Sequence, residues 1–252
     1  MSEPRPGTDE PQALLIAAHG DRGGARNNRL ALEVAERMSE SGRYDAVGVG
    51  YIRSEPSVEH AAAALMPARL RVYPLFMSDG YYVRRAIPQR LGLGEEGAPD
   101  IRIDPALGLD PELPELLAAE AEEAIRAAGA EPLETTLLEV AHGSSKSRAS
   151  ADAARGIAAR VKEVGRFRDV ECAFLEEEPF LAQALEQLTG PLCLQGLFIG
   201  QGMHGAEDLP EAVAASGRQD VVMAPPLAES PRLVELVCRR LSAQHSSTDP
   251  LA

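Results

Sequence analysis

Short apolar runs alternate with amphipathic segments along almost the whole chain. The first run covers residues 14–18, and it precedes a segment in which Leu30, Val34 and Met38 recur at helical spacing. Strand-length apolar runs separated by helices are typical of parallel sheets with helices on both faces. The pattern therefore predicts an α/β fold.

The same pattern places the remaining elements. Further strands are predicted at residues 45–52, 69–76, 101–103, 136–141, 169–175, 192–199 and 220–223. Helices are predicted at residues 28–41, 56–66, 111–128, 147–164, 180–188, 209–216 and 231–243. Pro56 is expected in the first turn of its helix, a position that proline tolerates well. Residues 78–92 are expected to form a loop that leads into another helix.

Landmarks in the first half of the chain recur in the second half at a nearly constant offset. His19 ends the first apolar run, and His142 ends a similar run 123 positions later. Pro56 and Pro179, each preceded by Glu, are separated by the same distance. Because strand–turn–helix units reuse Gly and Pro freely, two unrelated halves are the competing interpretation. We interpret the repetition as a duplicated fold.

The duplication suggests how the chain divides. An N-terminal lobe is predicted at residues 13–130 and a C-terminal lobe at residues 131–244. Residues 1–12 are polar and proline-rich and are predicted to be a disordered leader, while residues 245–252 are expected to form a frayed tail.

Charge and cysteine content exclude several classes of partner. Acidic residues outnumber basic ones by 39 to 25, giving a net charge of −14, so binding to nucleic acid or to an anionic membrane is not expected. Three cysteines without a CxxC pair, and no targeting segment, indicate a reduced, cytoplasmic protein. No apolar window approaches the ~18 residues that span a bilayer. A homo-oligomer is left open.

Three polar residues follow consecutive predicted strands of the second lobe. The first strand ends on His142, the second on Glu176, and the third leads into a loop that carries His204. Ligand sites of open parallel sheets lie beyond the carboxyl ends of the strands. Two imidazoles and a carboxylate suit an exchangeable divalent first-row metal. The competing interpretations are packing histidines and a glutamate on a solvated face.

The corresponding positions of the first lobe differ in chemistry. They are occupied by His19, Arg53 and Tyr82. A guanidinium stays protonated and has no acceptor, so Arg53 cannot replace Glu as a metal ligand. We therefore expect one competent metal site, in the second lobe, and a degenerate counterpart in the first. His60 is expected on a solvated helix face.

The motifs at these positions resemble those of a known family. The sequences AHGD and AHGSS, the Glu-Pro turns, and the stretches PLFMSDGYYV and GLFIGQGMHG occur in this order over nearly all of the folded chain. Together they resemble the class II tetrapyrrole chelatases, the CbiX- and CbiK-like sirohydrochlorin cobaltochelatases and ferrochelatases. The resemblance implies two lobes that face each other across an active-site cleft.

The resemblance also implies a reaction. Members of this family insert Co²⁺ or Fe²⁺ into sirohydrochlorin or a related tetrapyrrole in cobalamin or siroheme biosynthesis, without ATP or an organic cofactor. The divalent metal is a substrate, with Co²⁺ favoured over Fe²⁺ or Ni²⁺. His142 would be the principal base and metal ligand, His204 its partner, and Glu176 a carboxylate that helps to hold the ion or relays a proton. The anionic macrocycle needs cations, and His19 could contact it from the opposite lobe.

Other functions fit the same residues. A metal- or tetrapyrrole-binding carrier on the same scaffold would keep the fold and lack catalysis. A general two-lobed binding protein would also fit the fold, but it leaves the His142, Glu176 and His204 set without a role. A purely structural role explains the presence of His19 at its strand end equally well.

Overall fold

The computed structural model describes residues 12–20, 28–65, 69–94, 100–143, 149–200 and 208–243. Within these residues lie two four-stranded sheets, both entirely parallel. The first has the order β2-β1-β3-β4, with β1 at Gln12–Ala18, β2 at Ala46–Tyr51, β3 at Arg69–Leu75 and β4 at Asp100–Ile103. The second has the order β6-β5-β7-β8, with β5 at Thr136–Ala141, β6 at Asp169–Phe174, β7 at Leu192–Gly196 and β8 at Val221–Met223.

Helices connect the strands as the predicted α/β fold requires. In the first half they are α1 at Arg29–Glu40, α2 at Val58–Leu65, a π-helical turn at Tyr82–Ala86 that continues into α3 at Ile87–Arg90, and α4 at Leu113–Ala127. In the second half they are α5 at Ala149–Val164, α6 at Leu181–Gln187, α7 at Asp208–Ser216 and α8 at Pro231–Ser242.

Several element boundaries differ from the predicted ones. The first strand already begins at Gln12, a residue that the sequence assigned to the leader. Helix α2 begins at Val58, so Pro56 precedes the helix and is not part of its first turn. The strand predicted at residues 192–199 ends at Gly196, where an added Cβ would lie 2.7 Å from the ring of Phe198. Residues 1–11 and 244–252 lie outside the described residues.

The two halves repeat each other at the level of hydrogen bonds. The backbone N–H of Tyr51 donates to the carbonyl of Pro56, and that of Phe174 donates to the carbonyl of Pro179, each at 2.9 Å. These pairs are related by the offset of 123 that the sequence predicts. The chain therefore turns in the same way after the second strand of each sheet, and the duplicated fold is confirmed at this turn.

Three apolar clusters hold the described part together. A central cluster joins one face of each sheet to helices α1, α4, α5 and α8. Two smaller clusters cover the other faces, one around Leu15 and Val72 and the other around Leu138 and Leu194. Burial on both faces explains why strands such as Gln12–Ala18 read as nearly continuous apolar runs.

The halves exchange helices across the central cluster. Helix α4, which ends the first half of the sequence, packs against α5, β7 and β8, and Gln195 Nε2 donates to the Leu117 carbonyl at 3.2 Å. Helix α8 packs in return against α1, and the Tyr44 hydroxyl donates to the Leu241 carbonyl at 3.0 Å. The sequence boundaries at residues 130 and 131 do not predict this exchange.

Buried charged groups fix helix α8 to the first half. The Arg71 guanidinium donates to Asp104 at 2.8 Å, to the Tyr44 hydroxyl at 2.8 Å and to the Leu241 carbonyl at 3.1 Å. Because each of these partners can accept a hydrogen bond, the cost of burying the guanidinium is offset. The C-terminal end of α8 is thereby positioned on the first sheet.

One buried carboxyl is not compensated in this way. Glu139, in the middle of β5, is completely buried, and neither of its oxygens has a hydrogen-bond partner. In the sheet it lies between Cys172 of β6 and Gln195 of β7. Burial raises the pKa of Glu139 to about 8.

The cysteines behave as packing residues. Cys193 is buried, Cys172 and Cys238 are half-buried, and all three are free thiols. Burial raises the pKa of Cys172 and of Cys193 to about 12, so neither thiol is an activated nucleophile. None of the described helices combines the length and the apolar character that a bilayer span needs.

Candidate active site

Two histidines occupy equivalent positions directly after the central strand of each sheet. His19 follows β1 and His142 follows β5, and each is succeeded by a glycine with a left-handed backbone, at φ 79° for Gly20 and 74° for Gly143. A side chain at Gly143 would collide with Glu177 and Phe174. Glycine is therefore required for the sharp turn that leaves the imidazole at the carboxyl edge of the sheet.

The backbone also places the residue after the neighbouring strand beside each histidine. The N–H of Glu176 donates to the His142 carbonyl, and the N–H of Arg53 donates to the His19 carbonyl, each at 2.9 Å. The parallel register extends one residue beyond the strands in both sheets. This local geometry brings Glu176 to His142, as the sequence predicts, and it brings Arg53 to His19.

The side chains of His142 and Glu176 approach each other. Nδ1 of His142 lies 3.7 Å from Oε2 of Glu176 and 3.3 Å from the Gly143 carbonyl oxygen. The Gly143 carbonyl can only accept a hydrogen bond, so it favours a proton on Nδ1 and a lone pair on Nε2, and the Glu176 carboxylate favours the same tautomer through its charge. The side chains are 39% and 56% exposed, which leaves them open to a ligand from solvent.

This arrangement can do two kinds of chemistry. Nε2 of His142 can bind a first-row metal ion or accept a proton, as neutral imidazole does in many sites. The carboxylate of Glu176 can stabilise the imidazolium that protonation creates, or it can join the coordination of the ion. A carboxylate beside a metal-binding histidine orients the ring and raises its basicity.

The third predicted ligand, His204, lies outside the described residues, as does His245. Within the described ranges, no group of three or more His, Cys, Asp or Glu side chains is arranged to hold a metal ion. The metal site formed by His142, Glu176 and His204 therefore stays a prediction, and only its first two members are seen together.

The equivalent edge of the first sheet is aromatic and basic. The Arg53 guanidinium donates to the Tyr82 hydroxyl at 3.2 Å. The ring of Tyr82 meets His19 edge to face with a centroid distance of 5.3 Å, and it lies 6.0 Å from Phe76 and 5.8 Å from Tyr81. The structure thus gathers the three first-lobe positions that the sequence compared with the metal set.

The two sheet edges approach each other. A Cβ placed on Gly80, just before Tyr81, would lie 4.0 Å from the Cβ of Ala149, where α5 begins. Arg160 of α5 donates to the carbonyls of Gly108 and Asp110 at 2.6 and 3.2 Å. The loop after β3 therefore adjoins the start of the helix that follows the His142 turn.

Comparison with known families agrees with both the duplication and the fold. The family model CbiX matches the chain twice, over residues 13–124 and again over residues 136–244. The chain belongs to the CbiX family. This CbiX-family chain contains the family unit in two copies, which is the duplication that its sequence indicates.

Individual relatives cover most of the chain. A protein from Halobacterium salinarum named as a probable sirohydrochlorin cobaltochelatase is 27% identical over 79% of this chain and 76% of its own length. The solved structure of CbiX, described as the terminal enzyme for siroheme biosynthesis in denitrifying bacteria, is 32% identical. Its TM-score is 0.74, and the match covers 92% of this chain and all of that one.

A third comparison extends the fold to a larger protein. DR2241 from Deinococcus radiodurans, described as a multi-domain protein with structural similarity to chelatases, matches with a TM-score of 0.75 at 25% identity. The match covers 91% of this chain and 54% of that protein. The two-lobed chelatase-like α/β fold predicted from the sequence is therefore confirmed.

Arg53 and Tyr82 form a group at the site that the sequence does not predict. From the sequence, these two residues are only replacements for metal ligands. Their hydrogen bond to each other and the packing of Tyr82 on His19 give them an ordered arrangement of their own. The sequence does contain one indication of this arrangement: the charge is reversed between the lobes, because Arg53 occupies the position equivalent to Glu176. His60 is exposed and contacts Glu55, away from this group, as predicted.

Proposed function

We propose that this protein inserts a divalent metal ion, preferentially Co²⁺, into sirohydrochlorin without ATP or an organic cofactor. The observation that carries the proposal is the approach of Glu176 to His142 at the carboxyl edge of the second sheet. It occurs in a chain that the CbiX family model matches twice. The name of the Halobacterium relative supports cobalt insertion, and the description of CbiX as an enzyme of siroheme biosynthesis supports a tetrapyrrole substrate without indicating cobalt.

Proton removal is the step for which these side chains are suited. Two pyrrole N–H protons must leave the macrocycle as the metal ion enters. Once the ion has passed from Nε2 of His142 to the macrocycle, that nitrogen accepts one of these protons, because a neutral imidazole nitrogen is a proton acceptor, and the other proton passes to solvent. Glu176 stabilises the resulting imidazolium or passes the proton to solvent, to which it is exposed.

The metal ion is held by the same group of side chains. His142 supplies an imidazole nitrogen, Glu176 a carboxylate oxygen, and His204 a second imidazole. In this proposal His204 acts as the partner of His142 across the macrocycle. His19 contacts the ring from the first lobe.

The cell compartment and the partners follow from composition. Three free thiols are typical of a reducing compartment, so we place the reaction in the cytoplasm. A net charge of −14 opposes binding to nucleic acid, whereas the anionic macrocycle is accepted through local cations. A homo-oligomer is compatible with the same surface charge.

The test is anaerobic incubation of the purified protein with sirohydrochlorin and Co²⁺, Fe²⁺ or Ni²⁺, followed by the absorption bands of the macrocycle. Catalytic turnover above the uncatalysed rate, fastest with Co²⁺, is the expected result. Stoichiometric binding of metal or macrocycle without turnover would show a carrier and overturn the proposed reaction.

A further inference from the structure

Arg53, at the edge of the first sheet, is a cation that has no carboxylate partner among the residues that the structure describes. It is exposed, and among the described residues its side chain makes one hydrogen bond, to the hydroxyl of Tyr82. The nearby Arg84, in contrast, is paired with Asp79 at 2.9 Å. In a protein with a net charge of −14, an arginine that is held in place without being neutralised can receive an anion.

Aromatic side chains are concentrated at the same edge. The chain has no Trp and ten Phe and Tyr residues in 252. Three of these lie together: the ring centroid of Tyr82 is 6.0 Å from that of Phe76 and 5.8 Å from that of Tyr81. Phe76 is buried, whereas Tyr82 is half-buried and Tyr81 is 68% exposed. The cluster is therefore anchored in the core and presents aromatic surface to solvent.

The hydrogen bond between Arg53 and Tyr82 links the charge to the rings. The Tyr82 hydroxyl accepts from one Nη nitrogen, which leaves the remaining N–H groups of the guanidinium available as donors. His19 meets the other side of this arrangement by edge-to-face contact with Tyr82. A planar ligand with carboxylates on its rim matches such a surface, because rings stack on aromatic faces and guanidinium pairs with carboxylates.

We propose that the first-lobe edge is the face that holds the macrocycle, with Arg53 binding a peripheral carboxylate and Tyr82 and Tyr81 packing against the ring plane. This inference rests on the proposed function. The first lobe, which lacks the metal ligands, then has a different role from the second lobe. One lobe carries the metal-handling residues, and the other carries the residues that recognise the tetrapyrrole.

This division makes two binding steps separable. Changes at Arg53 or Tyr82 should weaken binding of the macrocycle and leave binding of the metal ion unchanged. Changes at His142 should do the reverse. A merely structural role for Arg53 would alter both equally or neither.

The experiment measures equilibrium binding of metal-free sirohydrochlorin to the full chain, in the absence of metal and oxygen, by quenching of tyrosine fluorescence. Arg53→Gln is expected to raise the dissociation constant about 10-fold or more, since it removes a charged hydrogen bond. Arg53→Lys should restore part of the affinity. The effect should shrink at high salt. Arg43→Gln is the matched control, because Arg43 is equally exposed but precedes β2 at the opposite end of the strand.

The aromatic part of the surface has its own pair of variants. Tyr82→Leu is expected to weaken binding ~3- to 10-fold through loss of ring packing. Tyr82→Phe keeps the ring and should lose only about 2-fold. Calorimetric binding of Co²⁺ to each variant should match the wild-type protein, and circular dichroism checks that each variant is folded.

The outcomes separate this inference from the reaction itself. Equal affinities of Arg53→Gln and Arg43→Gln for the macrocycle would overturn it, as would a parallel loss of Co²⁺ binding. If the wild-type protein binds the macrocycle but inserts no metal, the proposed reaction fails while the Arg53 comparison still decides this inference. Absence of any macrocycle binding by the wild-type protein would overturn both.

Discussion

The chemistry available to His142 is set by the atoms around one ring nitrogen. Nδ1 faces two acceptors, the Gly143 carbonyl at 3.3 Å and Glu176 at 3.7 Å. The opposite nitrogen, Nε2, is the one that can receive a metal ion or a proton. The carbonyl and the carboxylate thus favour the tautomer in which Nδ1 carries the proton.

Replacement of His142 by Ala should reduce kcat/KM for metal insertion by at least ~100-fold, because the general base and a metal ligand are lost together. Glu176→Gln should cost ~10- to 100-fold, since the orienting carboxylate becomes neutral. Steady-state assays with sirohydrochlorin and Co²⁺ measure both. His60→Ala is the matched control, because His60 is exposed on helix α2 and lies apart from this group. Full activity of the His142 variant would show that the base is elsewhere.

The buried carboxyl of Glu139 should make the stability of the fold depend on pH. Its pKa is raised to about 8 in the folded protein by burial, so the folded state holds a proton that the unfolded chain releases from about pH 4.5 upward. The folded state binds more protons in this window, and stability therefore falls as pH rises from about 4.5 to about 8. The slope contributed by one such group is at most about 1.4 kcal/mol per pH unit.

Glu139→Gln should remove this contribution while keeping the shape of the side chain. The free energy of unfolding in urea, measured from pH 5.5 to 8.5, should fall less steeply for the variant than for the wild-type protein. The variant should be relatively more stable at the alkaline end. Parallel profiles would show that Glu139 is not the group that links protons to folding.

At the scale of secondary-structure elements, each histidine is positioned by a strand followed by a tight turn. Each central strand ends in His-Gly, and the glycine adopts a left-handed backbone before the chain leaves the sheet. At Gly143 the turn also packs directly against the neighbouring strand end, because an added Cβ would lie 2.9 Å from Glu177 and 3.0 Å from Phe174. The turn therefore couples the position of His142 to strand β6.

Gly143→Ala should destabilise the fold by about 1–2 kcal/mol through backbone strain, with an additional loss from the collision. Insertion activity should fall further than stability predicts, because His142 is displaced. Gly165→Ala is the matched control. Gly165 also has φ 74°, but its added Cβ would meet nothing closer than 4.0 Å. Urea unfolding and steady-state kinetics measure the two effects, and equal activities of the two variants would contradict the expected displacement.

The elements were predictable from sequence to the extent that local patterns determine them. Strand β5 is observed at the predicted residues 136–141, and the helix face of Leu30, Val34 and Met38 is buried. The convergence of His142 and Glu176 follows from parallel register, which the alternation of strands and helices already implies. The shortened β7 was not predictable, because the apolar run in the sequence continues beyond Gly196, where the strand ends.

Other features depend on contacts between residues far apart in sequence. The packing of α8 on the first half involves side chains such as Arg71, whose partners lie 27 to 170 positions away. The arrangement of Arg53 and Tyr82 depends likewise on two loops meeting at one sheet edge. Periodicity and motifs report on the local chain, so they cannot indicate such pairings.

The whole molecule should unfold as one unit, because its central cluster takes residues from both sheets. Arg240 of α8 donates to Asp110 at 2.7 and 3.1 Å, and the side chain of Asp110 is 6% exposed. Arg240→Ala leaves that carboxylate without its main partner and should destabilise the protein by about 1–3 kcal/mol. Hydrogen exchange should report the same loss for amides of β1 and β5.

The control for this variant is Arg37→Ala. Arg37 forms an exposed pair with Glu33 within helix α1, so its removal should change stability by less than about 0.5 kcal/mol. A loss of exchange protection confined to one sheet in the Arg240 variant would show that the lobes are energetically independent.

The exchange of helices has a consequence for synthesis of the protein. Helix α8 follows every other described element along the chain, yet it packs on α1 and receives hydrogen bonds from Tyr44 and Arg71 of the first half. Ribosomes add about 5–20 residues per second, so the first sheet waits on the order of ten seconds between completion of β4 and completion of α8. During that interval Arg71 lacks the hydrogen bond to the Leu241 carbonyl that it makes in the folded protein. The lobe that is translated first therefore cannot complete its packing before α8 is released, and both lobes should become resistant to protease in the same step.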